Sequence, residues 1–147
     1  MRAAGGGDEP ENGLEALAMA MKSEWTKVDW SKASARHIIV LFTDASAHPL
    51  EKSADGVSEY YPKDMLRNFD ELDAVWNGQG SMDNRINQYV MDKRAQRLVL
   101  FAPDMYPWNE ITEDFIQVWG TTIKAGVGTT GLGKSVIVDN VAGSIKN

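Results

Sequence analysis

Cysteine is absent and histidine occurs only twice (Cys 0, His 2). Without thiols there are no disulfides, thiolate nucleophiles or thiolate zinc sites, which fits a reducing compartment and makes the cytoplasm the expected location. Two histidines give no Ser-His-Asp arrangement to argue from. Long apolar runs are missing as well. The longest, from Ile38 to Phe42, falls far short of the roughly 20 residues that cross a bilayer, and no basic stretch leads into an apolar one at the N-terminus. A basic excess is also lacking: 15 Lys and Arg stand against 21 Asp and Glu, for a net charge of −6 and a pI near 4.9. Phosphate backbones are held mainly by clustered Lys and Arg, so nucleic acid is not an expected partner, nor is a membrane. An acidic surface attracts cations or basic partners more readily.

What is present is ordinary globular material, 43% hydrophobic and 24% charged, in a length that suits one domain over residues 1–147. Residues 1–7 are glycine-rich and read as loop. Asp8 and Pro10 supply a cap and an early-turn proline for a helix beginning near Glu11, with Leu14, Leu17, Ala18 and Met21 on its apolar face. Residues 37–43, His-Ile-Ile-Val-Leu-Phe-Thr, form a continuously apolar, β-branched run of strand length, the pattern of a parallel strand buried on both faces. A polar loop is predicted over residues 45–61. Pro62 then opens a helix with Met65, Leu66, Phe69, Leu72 and Trp76 on one side and Gly78 as its stop.

Ser81 caps a further predicted helix through Met82, Ile86, Tyr89 and Val90. Residues 97–102 make a second buried strand. After Pro103, Pro107 and Asn109, a helix carries Ile111, Phe115, Val118 and Trp119 and ends at Gly120, followed by a short strand over residues 121–125. A final helix spans residues 134–145 with Ile137, Val138, Val141 and Ile145 on one face. Alternating strands and helices imply right-handed crossovers, hence an α/β fold with a doubly wound, mainly parallel sheet flanked by helices.

In such sheets ligands bind beyond the carboxyl ends of the strands. Asp44 stands there, although an Asp at that position serves equally well to cap the turn. The stretch Gly5-Gly6-Gly7-Asp8-Glu9-Pro10-Glu11 adds carboxylates at a helix start, where capping and the helix dipole also suit them. Mg²⁺ accepts one or two carboxylates and keeps waters and an open position for a partner's oxygen, so two acidic loops converging from separate elements would meet its needs.

The pair Gly-Gly-Gly-Asp-x-Pro-Glu and, after a helix and a buried strand, Phe-Thr-Asp-Ala-x-x-His resembles the von Willebrand factor A (VWA) superfamily, particularly the branch with integrin β I-like and hemicentin-like domains. With the element order, the resemblance spans nearly the whole chain. It implies a metal-ion-dependent adhesion site in which Glu11 matches the second-loop carboxylate, Asp44 the third-loop aspartate and Asp8 the aspartate of a neighbouring cation site. The cation would be Mg²⁺ or Ca²⁺, its coordination completed by an acidic side chain of a protein partner. The family's first loop, Asp-x-Ser-x-Ser, is not in this chain. The resemblance therefore covers the C-terminal part of such a domain, truncated at the N-terminus, with cation binding expected to be weak or absent. The expected function is adhesion-like protein binding, without enzymatic activity. Covering the open side of the 37–43 strand calls for a homodimer.

Two other readings compete. Gly128-Thr129-Thr130-Gly131-Leu132-Gly133-Lys134-Ser135 matches the phosphate-binding loop pattern Gly-x₄-Gly-Lys-Ser. Against it, the preceding strand is short, few residues follow for a helix, and no later strand offers a second acidic ligand. A fragment without independent activity is the remaining alternative. His48, within the matching motif, is expected to order its loop, and His37 to be a plain edge residue.

Overall fold

A computed structural model of the chain describes residues 10–32, 34–50, 61–78, 89 and 91–146. Along these residues the order is α1 (Gly13–Lys22), β1 (His37–Phe42), α2 (Phe69–Asn77), β2 (Gln96–Ala102), α3 (Trp108–Asp114), β3 (Val118–Thr122) and α4 (Lys134–Lys146). The strands make one parallel sheet in the order β1-β2-β3.

Side chains alternate across the sheet, and the register sorts them. His37, Ile39 and Leu41 share a face with Gln96, Leu98 and Leu100, while Ile38, Val40 and Phe42 lie beside Arg97, Val99 and Phe101 on the other. The first face carries the main core, where Leu98, Leu100 and Ala102 pack with Leu14, Leu17 and Met21 of α1, Leu72 and Trp76 of α2, and Trp108 and Ile111 of α3. The second face is covered by α4 over β2 and β3. The Arg97 Nε donates to the Ser144 carbonyl at 2.9 Å, and the Asn140 Nδ2 donates to Thr121 Oγ1 at 3.1 Å. β2 is therefore covered on both faces and buried throughout, as its uninterrupted apolar sequence requires. Arg97 is buried there with its guanidinium spent on the carbonyls of Arg94, Gln96 and Ser144. The chain is thus α/β with a parallel sheet between helices.

Several elements depart from the sequence expectation. α1 starts at Gly13, two residues after Glu11, whose backbone is engaged elsewhere, as described below. α2 starts at Phe69, not at Pro62. Met65 and Leu66 are buried but sit in an irregular segment, and the helix is opened by Asn68, whose side chain accepts from the Glu71 N–H at 2.9 Å while Glu71 reaches back to the Arg67 N–H at 2.7 Å. Its end is as expected, with Gly78 left-handed at φ 76. The helix predicted to run to Gly120 stops at Asp114, and Val118, Trp119 and Gly120 belong to β3, a strand placed three residues earlier than the 121–125 reading. Gly120 is a strand residue where the backbones press together: a Cβ there would overlap the Leu100 carbonyl oxygen. The helix expected from Ser81 lies outside the described residues apart from Tyr89. Among the described residues no helix is long and apolar enough to cross a membrane.

Candidate functional site

The loops beyond the carboxyl ends of the strands are stitched together by backbone. Glu11 donates its N–H to the Ser46 carbonyl at 2.9 Å and accepts from the His48 N–H at 2.8 Å, forming a parallel bridge opposite Ala47. Both bonds are made outside α1. The segment that enters α1 thus runs alongside the loop that leaves β1, and Glu11, exposed, and Asp44, half-buried, stand on adjoining loops at one end of the sheet.

Trp108 fixes this arrangement from below. Its ring is 1% exposed, its Nε1 donates to the Ala45 carbonyl at 2.7 Å, and its edge lies so near Gly13 that a Cβ there would come within 2.6 Å of Cη2. One indole therefore holds α3, the α1 entry and the β1 exit together, and Gly13 is required by that approach.

Asp44 closes the cluster on its other side. Its carbonyl accepts from the Gly126 N–H at 2.8 Å and its carboxylate Oδ2 accepts from the Gly128 N–H at 2.6 Å. Gly126, Gly128 and Gly131 have φ of 70, 61 and 98, the left-handed turns that let the loop fold back onto Asp44. The first glycine of the phosphate-loop pattern thus already gives its amide to a carboxylate of this chain, while Lys134 and Ser135 open α4. The Thr43 hydroxyl bonds locally to Ala45.

Of the residues singled out from sequence, Glu11 and Asp44 are brought to one loop cluster, and Asp8 lies outside the described residues. The bond that ties His48 to Glu11 is made by its backbone N–H and does not involve the imidazole. His37 is not a plain edge residue: it is 6% exposed and stacks on Trp25 with ring centroids 5.0 Å apart. Among the described residues no three His, Cys, Asp or Glu side chains gather to hold a metal.

A neighbouring cleft of about 150 Å³ opens between α3 and the carboxyl-terminal halves of β2 and β3, lined by Asp104, Asn109, Thr112, Glu113 and Thr121, with Trp108 as the wall shared with the Asp44 loop. Sequence reasoning passed over these polar groups. Asp104 follows β2 as Asp44 follows β1, so the strand-end rule points to it equally. No family model, curated protein or solved structure matches the chain.

Proposed function

We propose that this chain is a protein-binding module of the VWA type, with no catalytic role, that receives its partner on the loops beyond the carboxyl ends of β1 and β3. The observation that carries this reading is the bridge of Glu11 to the Ser46–His48 backbone, which supports a shared position for the two carboxylates the VWA resemblance assigns to a cation. Mg²⁺ or Ca²⁺ bound there is held by Asp44 and Glu11 with water filling most positions, and an acidic side chain of the partner takes one of them. With so few protein ligands the affinity of the free chain is weak, in the millimolar range at about 4 kcal/mol. Asp8 is the further candidate ligand.

The nucleotide reading of residues 128–135 is less well supported, because a phosphate entering that loop has to displace Asp44 from the Gly128 amide. An amide-resolved NMR titration separates the two. Mg²⁺ alone is expected to shift residues 11–12 and 44–48, and ATP added afterwards is expected to leave residues 128–135 where they were. A saturable response of residues 128–135 to Mg²⁺-ATP, with none to Mg²⁺, would establish the nucleotide reading instead.

A further inference from the structure

The two edges of the sheet differ in a way that bears on assembly. In β1 the odd residues face β2: the His37 N–H donates to the Ala95 carbonyl at 2.8 Å and the Thr43 N–H to the Phe101 carbonyl at 3.0 Å. The N–H and C=O groups of Ile38, Val40 and Phe42 therefore point away from the sheet, and among the described residues they meet no backbone partner. The side chains of the same residues lie on the α4 face, where Val40 and Phe42 are each 42% exposed. No charge, proline or bulge blunts this edge, although these are the usual devices that keep an open strand from pairing. The opposite edge, β3, ends instead in exposed Gly120, Thr121 and Thr122.

α4 leaves the same side uncovered. Its Asn140 bonds to Thr121 of β3, Gly143 sits beside Trp119 of β3, and the Ser144 carbonyl meets Arg97 of β2. At about 100° per residue these contacts turn Val141 toward the β1 side of the sheet, with Ile145 further round and Val138 nearly opposite the sheet. Val138 is 61% and Ile145 50% exposed. Val141 and an apolar strand row thus border one trough on the α4 face.

We propose that this trough is a self-association surface, in which β1 pairs antiparallel with β1 of a second copy about a two-fold axis at Val40. The edge is complementary to itself. In an antiparallel ladder every second residue exchanges both hydrogen bonds with the residue opposite, and opposite residues share a face. Centring on Val40 sets Val40 against Val40 and Ile38 against Phe42 of the other copy, so the exposed Val40 and Phe42 and the half-buried Ile38 all carry outward amides. Both α4 helices then lie on the same side of a continuous sheet, each turning Val141 toward the joined strands. An isologous contact needs this kind of self-matching patch, and an uncharged one avoids the self-repulsion of a chain with net charge −6. The inference is independent of the cation reading.

The test uses the intact chain. Sedimentation across a wide concentration range is expected to show a monomer–dimer equilibrium. Val40→Lys sets like charges directly opposite each other and is expected to weaken the dimer by about tenfold or more, while an unchanged circular dichroism spectrum shows that the exposed position tolerates it. Because the chain has no cysteine, Val40→Cys carries a single thiol. A short bifunctional thiol reagent is expected to link it to its counterpart and to leave Lys124→Cys, beyond β3, unlinked. A monomer at every concentration, a dimer indifferent to Val40→Lys, or slow hydrogen exchange at Val40 in a monomer would each overturn the proposal, the last by showing that the chain covers its own edge.

Discussion

At the scale of single residues, several buried polar groups each find a hydrogen-bonding neighbour. The Trp76 Nε1 donates to the Ile116 carbonyl at 2.6 Å, and the Gln96 amide to the Trp76 carbonyl at 2.7 Å. Glu15, 7% exposed, accepts from the Tyr61 hydroxyl at 3.3 Å. Burial, and then the charge and hydrogen bond of Glu15, push the Tyr61 phenol up to about 12 from its ordinary 10.0. A folded pKa above the unfolded one means that Tyr61 contributes its full stabilisation below pH 10 and loses it as pH rises toward about 12. Comparing wild type with Tyr61→Phe in urea at a series of pH values should show a constant stability difference up to pH 10 that shrinks above it. A difference that stays flat through the alkaline range would mean that Tyr61 is not paired with Glu15.

At the scale of elements, the account depends on how closely α1 and α3 approach. Alanine is the better helix former by about 1 kcal/mol, so propensity alone has Gly13→Ala stabilising α1. The Trp108 ring, fully enclosed and 2.6 Å from where the new Cβ would sit, makes the opposite outcome the expected one. Overpacking outweighs propensity and the variant loses about 1–2 kcal/mol in chemical denaturation. A stabilised Gly13→Ala would show that Trp108 is not seated as described. The ranges of β1 and α4 and the Gly78 stop were legible in the sequence, but β1 is not buried on both faces as its apolar run suggested: Val40 and Phe42 are each 42% exposed. The ranges of α2 and α3 were not legible. Met65 and Leu66 fall in step with the apolar face of α2 yet are buried by an irregular segment, and the better signal was the capping pair Asn68 and Glu71. Phe115, Val118 and Trp119 keep helical spacing, but the chain turns at Gln117, with φ 58, and the last two join the sheet.

At the scale of the whole molecule, one end of the sheet gathers the α1 entry, the β1 exit and the glycine loop, while the β1 edge beside α4 carries the proposed self-association surface. The sequence points to Asp44 as a strand-end carboxylate and, through the resemblance, to Glu11. The bond from Gly128 to Asp44 spans 84 residues, and nothing local announces it. The central claim is that Glu11 and Asp44 share one cation position. Mn²⁺ is the sensitive probe, since it accepts the same oxygen ligands and broadens nearby amide resonances even when bound weakly. Substoichiometric Mn²⁺ should broaden residues 11–12 and 44–48 first. Asp44→Asn, which keeps an acceptor for the Gly128 N–H, should lose that broadening while the remaining spectrum stays unchanged. Broadening centred on Asp104 and Glu113, or unaltered in Asp44→Asn, would contradict the account.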